Sequence, residues 1–227
     1  GLDAGPLKYS ERIAAMSDTQ QSRRKIGLYF GTFNPIHMGH LVIANHMATH
    51  TDLDEVWLVV TPLNPQKDSV ELMAQEHRLQ MVHLATAENE LLQGSDVEFT
   101  MPSPNYTAAT MRFIRGQHPE VDFSIIIGED NFHNLHTWKD HWDLVTHHRI
   151  LVYPRRSIEA EQPSPIIQEG DENRIPVNHS HVVWCDAPMI SISSTYLRKA
   201  IQEHKDIRYL LPDTVLNYIS NNMLYEQ

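Results

Sequence analysis

Apolar residues fall along this chain in short unbroken runs separated by longer amphipathic stretches. Ile26–Phe30 is a compact apolar and aromatic run that ends on a Gly-Thr turn and reads as a buried strand. Glu55–Thr61, Val97–Thr100, Asp122–Ile127, Ile150–Tyr153 and His181–Trp184 read in the same way, and Asp122–Ile127 is the central strand of the set. Helical spacing occupies the intervals. It runs over about 39–50, with Leu41, Ile43, Ala44 and Met47 on one face, and over 74–90, 107–117, 131–135, 138–145, 194–203 and 213–223. Gly116 and Pro119 end the 107–117 helix. Residues 154–180, rich in Pro, Glu, Asn and Ser, read as a long loop.

Strand and helix alternate, so the fold class is α/β: a Rossmann-like, doubly wound, mostly parallel sheet with helices on both faces and a small C-terminal helical part. The chain has 227 residues, and 25–227 is read as one domain. Residues 1–24 are read as an N-terminal tail or an expression-derived segment. In such folds ligands bind beyond the carboxyl ends of the strands, where the strand order reverses. Chemistry is therefore sought in the segments that follow strands.

Composition narrows the choice of chemistry. Eighteen basic against 29 acidic residues give a net charge of -11. That excludes broad nucleic-acid binding but not a local phosphate site. The single cysteine, Cys185, excludes an intrachain disulfide framework and suits a small buried side chain beside a strand. No apolar run approaches the roughly 20 residues that span a bilayer, and the first residues lack a signal-peptide core. The expectation is a soluble, cytoplasmic protein without membrane partners, and a homo-oligomer is compatible with it.

Three segments stand after strands. In Gly31-Thr32-Phe33-Asn34-Pro35-Ile36-His37-Met38-Gly39-His40, a glycine turn leads into a helix N-terminus carrying two imidazoles three residues apart. Free N–H groups and a partial positive charge there suit a phosphate. In Ile192-Ser193-Ser194-Thr195-Tyr196-Leu197-Arg198, hydroxyls at a helix start and a guanidinium one turn on make a second phosphate corner. Between them, Gly128-Glu129-Asp130 ends the central strand, where Asp130 suits ribose hydroxyls, a nucleotide's Mg²⁺ or a plain helix cap. Trp138 and the helix start at Tyr106-Thr107 could receive a pyridine ring bearing a carboxylate, although packing alone would also explain the tryptophan.

The first segment resembles the Gly-x-Phe-x-Pro-x-His-x-Gly-His signature of the nucleotidyltransferase superfamily, and the second resembles its Ile-Ser-Ser-Thr-x-x-Arg signature. Ser-Pro-Asn-Tyr-Thr-Ala-Ala-Thr, Ile-Ile-Gly-Glu-Asp and Leu-Leu-Pro-Asp-Thr-Val are similar to stretches of the bacterial nicotinate-nucleotide adenylyltransferases, and the likeness covers about residues 25–227. The resemblance implies transfer of the adenylyl group of ATP to nicotinate mononucleotide, giving deamido-NAD and pyrophosphate. It implies catalytic roles for His37, His40 and Arg198. ATP would meet Gly31, Thr32, Phe33, His37, His40, Gly128, Asp130, Ser193, Ser194, Thr195 and Arg198. Nicotinate mononucleotide would meet Thr32, Phe33, Lys67, Tyr106, Thr107 and Trp138. Mg²⁺ would arrive with ATP, with no protein metal site. Asn34 stands where many members have Asp and is given no chemistry.

Other features are weaker. His46 and His50 have zincin spacing but lack the glutamate that would act as base. His133, His136, His141, His147 and His148 form a dense histidine region better read as packed or solvated than as a metal cluster. The acidic stretch around Glu159, Glu161, Glu169, Asp171 and Glu172 reads as a solvated loop. The rival readings are the same chemistry on nicotinamide mononucleotide, a non-catalytic nucleotide-binding regulator and, more remotely, a zinc hydrolase.

Overall fold

The structure, a computed structural model, describes residues 23–62, 73–154 and 172–227. Six parallel strands form one sheet: β1 (Arg24–Gly31), β2 (Glu55–Val60), β3 (Leu92–Ser95), β4 (Val121–Gly128), β5 (Arg149–Tyr153) and β6 (Val182–Trp184). Their order is β3-β2-β1-β4-β5-β6, so the winding reverses between β1 and β4. Tyr29 of β1 aligns with Ile126 of β4. Carried two residues on, this register sets Gly31 and Gly128 at the same level on the carboxyl edge. A doubly wound sheet opens its ligand crevice at that reversal.

Period-two alternation assigns each strand residue to one of two cores. Val56, Leu58 and Val60 of β2, with Ile126 of β4 and Leu151 and Tyr153 of β5, point to one face. There they meet α1 (Met38–His50), α2 (Gln75–Thr86), α6 (Ser194–Gln202) and α7 (Asp213–Asn221), which bury Met47, Met81, Leu197 and Val215 among others. Ile26 and Leu28, with Phe123, Ile125, Ile127, Ile150 and Val152, point to the opposite face. That face is covered by α3 (Thr107–Gln117), α4 (Glu129–Asn134) and α5 (His141–His147) through Met111, Ile114, Phe132, Leu144 and Val145. Burial on both sides explains why the central strands are continuously apolar.

The third strand departs from the sequence expectation. Val97–Thr100 is a 3-10 turn, and the strand is Leu92–Ser95, paired with Val56–Val59. Only Leu92 of this edge strand is buried, so Gln93, Gly94 and Ser95 give no apolar run to read. Gly94 is fixed by packing, because a Cβ there would lie 3.0 Å from the Val82 and His83 side chains of α2. The 74–90 helix is also shorter than its periodicity suggested and ends at Thr86.

The turn at 97–100 has its own purpose. Glu98 is buried, accepts a hydrogen bond from Thr110 Oγ1 of α3 at 3.4 Å, and through its backbone oxygen accepts one from Asn105 Nδ2 at 3.3 Å. It thereby ties the segment leading into α3 to the edge of the sheet. Burial pushes its carboxyl up to about 7. The folded-state value lies above the unfolded one, so its stabilising contribution is complete below about 4.5 and is lost as pH rises through about 7. At about 1.4 kcal/mol per unit, the loss across that window is about 3 kcal/mol. Glu98→Gln should therefore gain about 3 kcal/mol relative to the parent between pH 4.5 and pH 7, read as the difference in urea unfolding free energies. A parent-to-variant difference that stays constant over this range would overturn the assignment.

Candidate active site

The segment that leaves β1 is shaped by packing before any ligand enters. A Cβ at Gly31 would sit 2.9 Å from the Phe33 ring, so glycine is what allows that ring to fold back over the strand end. Phe33 adopts φ 48, in the left-handed region, and its side chain is only 1% exposed. Its ring is edge-on to Tyr29 at 5.8 Å and to His40 at 5.0 Å. The ring therefore belongs to the core, against Tyr29 and His40. Thr32 beside it is exposed.

His37 is the N-cap residue of α1, 5% exposed. Its backbone N–H donates to His40 Nδ1 at 3.2 Å, and the two imidazoles stack with centroids 3.8 Å apart and planes 21° apart. Gly39 lies under this arrangement: a Cβ there would come within 2.8 Å of His37 Cε1 and 2.9 Å of His37 Nδ1. The spacing His-x-Gly-His thus has a steric reason, since the ring of the first histidine occupies the volume of a side chain at the third position. The bond to Nδ1 also sets the tautomer. A neutral imidazole that accepts at Nδ1 carries its proton on Nε2, so His40 can present Nε2–H as a donor.

The serine-arginine motif meets this loop directly. Ser193 caps α6 by accepting from the Tyr196 N–H at 3.0 Å. Ser194 Oγ donates to the Pro35 carbonyl at 2.9 Å, and Arg198 Nη1 donates to the Asn34 carbonyl at 2.9 Å. Arg198 Nη2 reaches Thr195 Oγ1 at 3.4 Å. Two motifs about 160 residues apart are therefore joined by two hydrogen bonds across the mouth of the crevice.

Sequence reasoning missed three residues that hold the crevice in shape. Arg78 of α2 is completely buried; its Nε donates to the Met73 carbonyl at 2.8 Å, and its Nη1 donates to the carbonyls of Thr32 and Thr61, each at 2.7 Å. It thus links the loop after β1, the end of β2 and the start of α2. Asn34, given no chemistry from the sequence, is buried; its Oδ1 accepts from the Tyr225 hydroxyl at 2.8 Å and from the Met73 N–H at 3.2 Å. Tyr225 brings in the C-terminal segment, and Met38 N–H donates to Leu210 O at 2.8 Å from the same region. The signal available was an arginine on the apolar face of a predicted helix, where a lone positive charge needs partners.

On the other side of the reversal, Gly128 is the N-cap residue of α4, which places Asp130 inside the first turn rather than at the cap. Tyr106 holds the N-cap position of α3 and Thr107 opens that helix. Trp138 is half-buried and packs against the apolar cluster on that face, which also contains α3 residues. The next residue, Lys139, places Nζ 4.7 Å from the Tyr106 ring centroid. The Trp138-Lys139 segment therefore reaches the start of α3, and Lys139 adds a cation that the sequence had not singled out. Lys67 lies outside the described residues, as do Glu159, Glu161, Glu169 and Asp171.

Several of the remaining histidines have ordinary partners. His141 Nε2 lies 2.7 Å from Asn173 O, His133 lies 3.7 Å from Glu129, and His46 stacks on His50 with centroids 4.3 Å apart. Among the described residues no group of three or more His, Cys, Asp or Glu could hold a metal ion. Cys185 is half-buried just after β6, and burial pushes its thiol up.

Arg78→Lys tests whether the buried guanidinium shapes the crevice. An ammonium keeps the charge but cannot span three carbonyls in two directions. The expected outcome is a loss of roughly 2–4 kcal/mol in urea unfolding, with KM for the substrates raised. An unchanged unfolding midpoint would show the three bonds to be dispensable.

Comparison with known proteins places this arrangement. Residues 28–200 match the cytidylyltransferase-like family. The chain is 45% identical over 203 residues to a protein of Flavobacterium johnsoniae named probable nicotinate-nucleotide adenylyltransferase, covering 89% of this chain and 100% of that one. It is 37% identical to one so named from Bacteroides thetaiotaomicron, covering 90% of this chain and 95% of that one. In fold it is similar to the nicotinic acid mononucleotide adenylyltransferase of Plasmodium falciparum solved with NaAD, with a TM-score of 0.70, 19% identity, and coverage of 89% of this chain and 98% of that one. With the two histidines, the serine-arginine helix start and the β1/β4 crevice in the positions described, the chain belongs to the cytidylyltransferase-like family, among its nicotinate-nucleotide adenylyltransferases.

Proposed function

We propose that this protein transfers the adenylyl group of ATP to nicotinate mononucleotide, forming deamido-NAD and releasing pyrophosphate. The observation that carries the reading is the stacked His37-His40 pair at the start of α1, joined through the Asn34 and Pro35 carbonyls to Arg198 and Ser194. These residues stand at the carboxyl end of β1, beside the reversal of the sheet. The relatives' shared activity supports the same reaction.

The attacking group is an oxygen of the mononucleotide phosphate, already ionised near neutral pH, since the second pKa of such a phosphate is about 6. No general base is needed. That oxygen forms a bond to the α-phosphorus of ATP while the bond from this phosphorus to the bridging oxygen breaks, and the electron pair leaves with pyrophosphate. What the protein must supply is in-line positioning of two polyanions and donors for the charge that spreads over the transferring group. His40, with Nδ1 occupied by the His37 N–H, is suited to donate from Nε2 to a phosphoryl oxygen. The first turn of α1 adds its partial positive charge. Arg198 and the Ser193–Thr195 helix start suit the β- and γ-phosphates and the departing pyrophosphate. Gly31, Thr32 and Phe33 suit the α-phosphate end of ATP, and Gly128 and Asp130 suit the nucleoside. Mg²⁺ would arrive with ATP as part of the substrate and would offset the charge of its phosphates.

For the acceptor, Tyr106, Thr107 and Trp138 suit the nicotinate ring and its carboxylate, Lys139 adds a positive charge beside them, and Lys67 suits the mononucleotide phosphate. The expected localisation is cytoplasmic; among the described residues no helix is long and apolar enough to cross a membrane.

Pyrophosphate release with MgATP should be fast with nicotinate mononucleotide and much slower with nicotinamide mononucleotide. Equal rates would remove the role given to Thr107 and Trp138, and no turnover by folded, ATP-binding protein would favour a nucleotide-binding regulator. His40→Ala should lower kcat by about 100- to 1,000-fold, the usual effect of deleting one donor to a developing anion, with little change in the unfolding midpoint. Near-normal turnover by the folded variant would remove His40 from the mechanism.

A further inference from the structure

The end of the sheet opposite the candidate active site carries a second recess. Its floor is the start of β4, at Val121, Asp122, Phe123 and Ser124, and its walls come from the starts of β1 and β5 and the C-terminal ends of α3 and α5. The cavity volume is about 460 Å³, which falls within the roughly 300–1,000 Å³ typical of small-molecule sites.

The chemistry of its walls contrasts with the rest of the chain. Arg23, Lys25, Arg115 and Arg149 line it together with His147, His148 and His181, and Asp122 is the one carboxylate among the lining residues. Some of this charge is matched. Arg23 Nε pairs with Asp122 at 2.7 Å, and Asp52, just outside the recess, accepts from Lys25 at 2.8 Å and from Arg149 at 2.6 Å. Asp54 adds a second carboxylate beside Lys25, accepting from its backbone N–H at 2.7 Å. Arg115 has no carboxylate partner among the described residues. Among the described residues, Asp122, Asp52 and Asp54 face Arg23, Lys25 and Arg149, which leaves the positive charge of Arg115 over in this recess on a protein whose net charge is -11. Complementing the C-terminal carbonyls of α3 would need only about half a charge.

Arg115 is also held in place. Its Nη1 donates to His148 Nε2 at 2.7 Å, and His148 Nδ1 lies 2.8 Å from the Leu144 carbonyl, to which it donates. His148 can accept at Nε2 only as a neutral imidazole, and burial holds it neutral by pulling its value down to about 4. A buried neutral acceptor therefore aims a charged fork along the wall, with the aromatic and aliphatic floor of Phe123, Val121 and Pro119 beside it. Guanidinium forks next to an apolar floor suit a phosphate group attached to an organic body. The concavity and the acidic remainder of the surface favour a small molecule over a nucleic acid.

We propose that this recess is a second binding site, distinct from the nucleotide crevice, for a small phosphate-bearing anion held by Arg115 with Arg23, Lys25 and Arg149. A ligand there would bridge the starts of β1, β4 and β5, and the far ends of β1 and β4 flank the crevice.

The test uses inorganic tripolyphosphate as probe and full-length protein carrying Arg198→Ala, which weakens the anion site at the other end of the sheet. Calorimetric titration should show one binding event. Adding Arg115→Gln should weaken it about tenfold or more, as loss of a charge-assisted contact does, and Arg23→Gln should weaken it less. Hydrogen exchange should slow on probe binding in residues 121–124 and 147–149. If Arg115→Gln fails to fold, Arg149→Gln with the same exchange readout replaces it. No binding, binding indifferent to both arginine substitutions, or protection confined to residues 31–40 would overturn the proposal. Citrate in place of tripolyphosphate separates a phosphate site from a general anion sink: equal affinity would overturn the phosphate assignment. These outcomes do not depend on adenylyl transfer, which the pyrophosphate-release assay reads separately.

Discussion

The crevice depends on one buried cation. The Arg78 guanidinium lies fully inside the protein and makes its hydrogen bonds to backbone carbonyls, not to a carboxylate, among the described residues. Taking a charge out of water is costly, and dipoles compensate it only when several converge in good geometry. Thr32, Thr61 and Met73 supply that convergence at 2.7–2.8 Å. The reverse dependence matters as much. Those three carbonyls belong to separate segments, and the Nε and Nη1 bonds of the arginine require all three to be in place together. The loop that carries the histidine motif is therefore positioned by a residue of α2 that need not touch a substrate.

From that anchor the loop is built by exclusion of volume. Gly31 leaves room for the Phe33 ring, and the ring meets both Tyr29 and His40 edge-on. Gly39 leaves room for the His37 ring, which stacks on His40. Each glycine is needed because an aromatic ring two residues before or after it lies where a Cβ would be. His40 is thus clamped between Phe33, His37 and the His37 N–H. This clamping is preorganisation: the donor is fixed before substrate arrives, so little ordering remains to be done during the reaction.

How much of this was legible in the sequence differs between levels. The central strands were, because burial on both faces forces continuous apolar runs such as Ile125-Ile126-Ile127. The histidine and serine-arginine segments were, because they follow predicted strands or open predicted helices with chemistry in compact spacing. The edge strand was not: Leu92–Ser95 is defined by backbone pairing to β2, and pairing leaves no trace in side-chain type. The roles of Arg78, Asn34 and Tyr225 were not legible either. Each works through contacts with residues distant in the chain, Tyr225 across 191 positions, and no local pattern encodes a partner so remote.

Asn34 shows how the electrostatics of the crevice follow from these hidden contacts. Its side-chain oxygen accepts two hydrogen bonds and its backbone oxygen takes a third from Arg198. A carboxylate could accept the same bonds. It would also place a negative charge in a region where Arg78 and Arg198 act on the Tyr225 hydroxyl closely enough to oppose the rise that burial imposes on it. The amide keeps the geometry and adds no negative charge beside the two guanidinium groups. For a chain with net charge -11 that must gather two polyanionic nucleotides, this local excess matters more than overall charge, because interactions inside a partly desolvated crevice are screened less than those on the surface. The side chain at position 34 is therefore an electrostatic choice as well as a structural one: it holds the loop in place without spending the positive potential that the loop is there to present.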